Sequence, residues 1–311
     1  MIYCLGAFDG FHKGHQGLLK IASKIAKYSH DNWGIITFTR NPITTLLYND
    51  FKQLFFREER NCIATAFGCK NIIEINFTPE IATMSPKVFF DYIVKKFNVT
   101  GLVVGEDFRF GCNKSGDTDL LTYFANKQKI ICNVVPTITQ NAQKVSTSII
   151  RDLVSQGAIN MANRLLGFPF FITGHSIHGD NRGALLNHPT ANLPIEGGKV
   201  YPPDGVYAAA TVIQGKIYAV ALNVGNNPTF DGFRTPRIEA HILGNFGDLY
   251  GRKFTFFIFK KVRSEVKFKN KEMLLQQMEM DVQETKRHFE RLPQIQNDKI
   301  KKISAAIFAM A

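Results

Sequence analysis

Cysteine is scarce in this chain, with five in 311 residues, at Cys4, Cys62, Cys69, Cys112 and Cys132. Their number is odd and no two form a Cys-x-x-Cys pair, which argues against a disulfide framework or a zinc site and for reduced thiols in the cytoplasm. No apolar run is long enough to span a bilayer, and Met1-Ile2-Tyr3 leads into a strand-like run without the basic region of a signal peptide, so no membrane association is expected. Repeats and low-complexity segments are missing too. The formal net charge of +12 is spread over scattered lysines, with only short clusters such as Lys260-Lys261 and Lys301-Lys302. Without a dense basic stripe or an RNA-binding signature, nucleic acid is not the expected partner. Most of this charge is read as solvated surface, compatible with phosphorylated small molecules.

The length of 311 residues exceeds what one core usually spans and predicts two domains. In the first half, strand-like runs at 34–39, 72–77, 102–105 and 130–135 alternate with helix-like runs at 57–67, 85–97 and 118–127. That alternation predicts βαβ units and a parallel sheet. A helical stretch at 158–166 ends in Gly167-Phe168-Pro169, a stop signal that puts the boundary between domains 1–168 and 169–311. Beyond it, β-rich runs at 205–213, 216–224, 238–243 and 253–262 follow one another without helices and predict an antiparallel barrel or sandwich. A helical pattern over about 271–292 closes the chain, with Leu274, Leu275, Met278 and Val282 as its packing stripe.

The stretch from Gly6 to Leu19 carries the most chemistry. Ile2-Tyr3-Cys4-Leu5 reads as a buried strand, Asp9-Gly10 as a turn, and Leu18, Ile21, Ala22 and Ile25 as one face of a helix. A strand-to-helix join of this kind presents unpaired backbone N–H groups and the positive end of a helix dipole, which favour a phosphate. His12 and His15 fall within it, three residues apart, so both can share one face of the first helical turn. Two imidazoles there can donate to phosphoryl oxygens as charge builds up in a transfer reaction.

The string Gly-Ala-Phe-Asp-Gly-Phe-His-Lys-Gly-His resembles the His-x-Gly-His nucleotidyltransferase superfamily, and most closely its prokaryotic FAD synthetase branch, the bifunctional riboflavin kinase and FMN adenylyltransferase. Later segments extend the resemblance in the expected order. Gly105-Glu106-Asp107-Phe108-Arg109-Phe110-Gly111 is similar to the second signature of that family. A P-loop in the same place is rejected because Asp117 stands where lysine is required. Ser146-Thr147-Ser148-Ile149-Ile150-Arg151 is similar to the third, although Ile149 replaces an arginine. Arg40-Asn41-Pro42 departs from the usual Pro-His-Pro. The second half shows Gly174 to Gly183, Pro189-Thr190-Ala191-Asn192, Asn223 to Phe230 and Ile238-Glu239-Ala240-His241, all similar to the riboflavin kinase domain.

The resemblance implies a Rossmann-like α/β nucleotidyltransferase domain with a parallel sheet, then an antiparallel β-barrel with a C-terminal helix. For the first domain it implies ATP binding by Gly6, Phe8, Asp9, Gly10, His12, His15, Ser146, Thr147, Ser148 and Arg151, and flavin binding by Asp107, Phe108, Arg109 and Phe110. His12 and His15 are the implied catalytic groups. For the second it implies an ATP and Mg²⁺ site at Gly174, His178, Gly179, Thr190 and Asn192, with Thr190 and Asn192 on the metal and Glu239 as the base. Substrates and products would be ATP, riboflavin, FMN and FAD. Ala184, Leu185, Asn187 and His188 replace the usual Arg, Thr, Gly and Phe. A weakened kinase, or an adenylyltransferase whose barrel only binds flavin, is therefore the alternative expectation.

Overall fold

The computed structural model describes residues 1–39, 51–140, 143–178, 190–225, 237–244, 246 and 249–309. These form two compact units, Met1–Thr147 and Ser148–Ala311.

In the first unit the described elements are β1 (Ile2–Leu5), α1 (Lys13–Tyr28), β2 (Trp33–Phe38), α2 (Arg57–Ala66), β3 (Asn71–Ile75), α3 (Pro79–Ala82), α4 (Pro86–Phe97), β4 (Gly101–Gly105), α5 (Thr118–Lys127), β5 (Ile131–Val135), and a hairpin of β6 (Thr139–Gln140) and β7 (Gln143–Lys144). The sheet runs β3-β2-β1-β4-β5, with every pairing parallel. Parallel neighbours need crossovers, and the alternating helices supply them. Strand order reverses at β1, whose neighbours are β2 and β4, so a crevice opens at the carboxyl ends there. Helix starts follow local chemistry. Ser85 caps α4 by accepting from the Val88 amide, with Pro86 in the first turn. Asp117 caps α5 by accepting from the Leu120 amide at 3.0 Å, which is what the residue in the lysine position of the rejected P-loop does. Leu5, Ile36, Phe90, Leu102 and Val104 belong to the buried cluster of this unit.

The second unit begins inside α6 (Thr147–Ser155), so α6 beyond Thr147 and α7 (Ile159–Leu166) count with the later strands rather than with the sheet before them. Then come β8 (Phe170–His175), β9 (Thr190–Pro194), β10 (Gly205–Ile213), β11 (Lys216–Gly225), β12 (Arg237–Ile242), β13 (Lys253–Ser264), α8 (Lys271–Glu290) and α9 (Gln294–Ala309). The sheet order is β8-β13-β10-β11-β12-β9, antiparallel throughout. An Ile177–Asn192 bridge joins the end of β8 to β9, so the two edges meet and the sheet curls into a barrel. Gln214 and Gly215, at φ 49° and 76°, make the two-residue turn that the right-handed twist of β10 and β11 requires.

Two findings depart from the sequence reading here. The stripe Leu274, Leu275, Met278 and Val282 is only half-buried, while Asp281 and Thr285 on α8 are buried. Arg263 of β13 donates to both Asp281 oxygens at 2.8–3.0 Å and Gln277 adds a third donor, which fastens the helix to the sheet by charge. The final helix α9 went unforeseen, and it buries Ile300, Ile303 and Ile307. Removing the Asp281 carboxylate leaves the Arg263 guanidinium largely buried without its acid. Asp281→Ala is expected to destabilise this unit by about 3 kcal/mol, measured as a lower urea midpoint. An unchanged midpoint would refute the assignment.

Candidate functional site

At the carboxyl end of the parallel sheet the chain must turn from Leu5 to Lys13. Phe8 and Phe11 make that turn with φ at 47° and 43°, unusual for bulky residues. Burial of both rings against each other, 5.4 Å between centroids, holds them there. His12 then caps α1: its Nδ1 accepts from the His15 amide at 3.4 Å. In the neutral ring this leaves the proton on Nε2, available to a ligand. The His12 and His15 rings stack at 3.8 Å and 14°. The intervening glycine is required by close approach, since a Cβ at Gly14 would lie 2.9 Å from His12 Cε1.

Burial governs the charge state of this pair. It pushes His12 down to about 4, with nearby Asp107 opposing the shift. His15 is held well below the ordinary histidine value, first by burial and then by His12. Its Nδ1 is buried with no hydrogen-bond partner among the described residues. Both rings are therefore neutral donors at physiological pH.

A cavity of about 460 Å³ lies over these rings. Gly6, His12, Gly14 and His15 line it from the first loop, and Asp107, Phe108 and Arg109 from the loop after β4. Ser146 and Thr147 line it from the start of α6, while Ser148 and Arg151 follow on α6 in the second unit. Phe8, Asp9, Gly10 and Phe110, expected at the ligand, do not line the cavity. Phe8 is fully buried and packs 5.0 Å from the His15 ring, as a floor. Phe110 belongs to the core beside Phe89 and stacks on Phe108. A large apolar ring gains more from that burial than from a wet loop. Asp9, also buried, faces the charge of Arg60.

The sequence reading missed Thr37, Pro136 to Ile138, Lys114 and Lys144, which also line the cavity. Most of these follow a strand end, so the rule that open α/β sheets bind ligands beyond their carboxyl ends covers them. Lys144 donates to Asp107 at 2.8 Å in an exposed pair, worth little to stability. Arg109, Lys114 and Lys144 against Asp107 leave the cavity net positive with neutral histidines, as a polyphosphate requires.

In the barrel, antiparallel register brings the second set together. Glu239 of β12 stands opposite Asn192 of β9, and His241 opposite Thr190. Alternation puts all four on one face, while Ile238, Ala240, Ala191 and Leu193 fill the other. Asn192 Oδ1 is buried and has no hydrogen-bond partner among the described residues. Arg237, two residues before Glu239, donates to its Oε1 at 3.0 Å and forms an ion pair with it. Asn223 of β11 pairs in register with Glu239 from the other side. Gly174 lies on β8, and the His178 ring stacks on Tyr250 at 3.6 Å. Gly179, the departures at 184–188 and Arg40-Asn41-Pro42 lie outside the described residues. His241 and Asn223 had no role in the sequence reading, although the alternation of Glu239 and His241 was visible in it.

Comparison with known proteins matches the two halves of the chain to two family models. A family model described as FAD synthetase matches residues 1–149, and one described as riboflavin kinase matches 166–289. The bifunctional riboflavin kinase/FMN adenylyltransferase of Bacillus subtilis is 34% identical over 296 residues, covering 94% of this chain and 93% of the relative. The protein of the same description from Listeria monocytogenes is 31% identical, covering 94% and 93%. A crystal structure described as a macrolide-efflux protein from Streptococcus pneumoniae superposes with a TM-score of 0.82 at 30% identity, covering 92% of this chain and 93% of that one. With both family models matched in order and a relative of this identity aligned over nearly its whole length, the chain belongs to the bifunctional riboflavin kinase/FMN adenylyltransferases.

Proposed function

We propose that the chain phosphorylates riboflavin to FMN in its second half and adenylylates FMN to FAD in its first. The observation that carries the reading is the stacked, neutral His12–His15 pair beneath a net-positive cavity at the switch point of the sheet. Matches to both family models favour two activities over an adenylyltransferase with an idle barrel. No helix among the described residues is long and apolar enough to cross a membrane. The functional division is assigned to 168/169, just after the left-handed Gly167 that ends α7 and before β8. The substrates are small molecules, ATP and flavins, and the cysteines, all free thiols, suit the reducing cytoplasm.

In the adenylyl transfer an FMN phosphate oxygen attacks the α-phosphorus of ATP and pyrophosphate leaves. His12 Nε2–H and the His15 ring donate to phosphoryl oxygens as charge develops, while Gly6 and Gly14 let the backbone approach. Ser146 and Thr147 hold the remaining phosphates, Ser148 and Arg151 are assigned to ATP by the resemblance alone, and Arg109 with Phe108 holds the flavin. Positioning and charge stabilisation supply the catalysis, and no covalent enzyme intermediate is needed.

In the kinase step the riboflavin 5′-hydroxyl attacks the γ-phosphorus, ADP leaves, and Glu239 accepts the hydroxyl proton. The buried Asn192 amide oxygen has no donor among the described residues, and with the Thr190 hydroxyl it forms a hard-oxygen pair suited to Mg²⁺. Such an ion neutralises phosphate charge when ATP is bound. Gly174, His178 and Gly179 are assigned to the nucleotide side of this site.

Changing His12 and His15 together to alanine is expected to slow FAD formation from FMN by at least about 10²–10³ and to spare FMN formation from riboflavin. Near-normal adenylylation in that variant would sink the assignment. Glu239→Gln should lower riboflavin phosphorylation by about 10²–10⁴ with adenylylation intact. A parallel fall of both activities would point to misfolding instead. The depressed His12 value carries a pH consequence. Between pH 6.5 and about 4 the unfolded chain binds a proton at this ring that the folded chain refuses. Stability from this group is thus complete above 6.5, declines as pH falls through that window, and is constant below it. Relative to His12→Gln, the wild type should lose roughly 3 kcal/mol across the window, read from denaturation midpoints at stepped pH. Parallel curves would refute a neutral, buried His12.

A further inference from the structure

Arg60 of α2 is 3% exposed, a cation placed where a guanidinium is seldom left without a reason. Its Nη1 donates to the Ala7 carbonyl at 3.2 Å, and its Nη2 to the carbonyls of Phe38 at 3.2 Å and Thr39 at 3.0 Å. The Thr37 hydroxyl donates to the same Ala7 carbonyl at 3.1 Å. The carboxyl ends of β1 and β2 are thus held by one planar fork beside the cavity. Asp9, buried in the loop, and Glu74 of β3 offset the buried charge. Ala7 precedes Phe8, the first of the two left-handed residues that swing the loop towards His12. Backbone in such a region persists only where its surroundings over-determine it. Fixing the Ala7 carbonyl fixes the peptide plane that enters the turn.

We propose that Arg60 is a positioning residue for adenylyl transfer: it holds the Ala7–Phe8 peptide so that His12 and His15 meet the α-phosphate in register. Arg60 itself does not line the cavity. Hydrophobic side chains of similar length would fill the space and avoid the cost of a buried charge, but they present no donors to two strand ends at once. The inference rests on the reading of His12 and His15 as the adenylyl-transfer groups.

The test uses the full chain, with kcat and KM for FMN adenylylation measured on Arg60→Met, Arg60→Lys and the His12→Ala/His15→Ala variant. Riboflavin phosphorylation serves as the control in the same preparations. Arg60→Met is expected to lower kcat about 10²-fold, the scale of a displacement of about 1 Å. KM for FMN should change by less than about threefold, as befits an interaction realised in the transition state. Arg60→Lys should recover about tenfold, since one ammonium can serve one or two of the three carbonyls. Phosphorylation should stay near wild type. A near-normal kcat in Arg60→Met overturns the proposal, and so does a loss that lysine leaves untouched, which marks a folding defect. If Arg60→Met does not fold, Arg60→Lys carries the test against wild type, since it keeps the positive charge but serves fewer of the three carbonyls. It should lower kcat at constant KM for FMN, and an unchanged kcat is the overturning result. Normal adenylylation in the histidine variant would remove the reading of the loop, and the positioning role with it. A crippled histidine variant beside a normal Arg60→Met removes the positioning role alone.

Discussion

The His12 imidazole closes the first turn of α1 by accepting from the His15 amide, and the geometry of the first cavity depends on that contact. It makes one ring a helix cap and leaves its other nitrogen as the one that carries the proton. Stacking then places the second ring at a fixed distance, and the glycine between them is the residue that leaves room. Beneath the pair lie Phe8 and Phe11 in left-handed backbone, and behind these lies the buried Arg60. Each layer over-determines the one above it. Backbone that is costly in isolation is stable here because the cost is spread over packing and charge-assisted hydrogen bonds.

The same burial decides what the histidines can do. A solvent-exposed imidazole would be partly protonated near neutrality, whereas a pair sunk below the loop is neutral and cannot repel itself. Such a pair can offer hydrogen bonds without charge, and the positive charge of the cavity comes from Arg109, Lys114 and Lys144 on its wall. Donors and charges come from different elements, so each can be placed without compromising the other.

The barrel solves its problem by register. Antiparallel pairing of β9, β12 and β11 sets Asn192, Glu239 and Asn223 in one row and adds Thr190 beside His241 in the next. A one-residue slip would send all of them into the apolar face, so the pairing that fills the core also assembles the polar group. Arg263 stands in the same row, in register through Val206 and Asn223, and with Asp281 it fastens α8 to the sheet, as charges kept because each completes the other.

Periodicity and turn chemistry in the chain determined the alternating first half, the run of antiparallel strands after it, the Gln214-Gly215 hairpin and most helix starts, because those follow from local sterics and capping. The motif string and its strand–loop–helix setting also placed His12 and His15 together at the start of the first helix. Tertiary structure decided which aromatics line the cavity. Phe108 lines the cavity while Phe8 and Phe110 sink into the core, a choice made by neighbours distant in sequence. It also decided that Asp281, inside an apparently apolar helical stripe, is buried, because only a guanidinium arriving from β13 makes that burial tolerable. Thr37, Lys114 and Lys144 joined the cavity for the same reason: strand ends far apart in the chain converge at one edge of a parallel sheet, and convergence has no local signature.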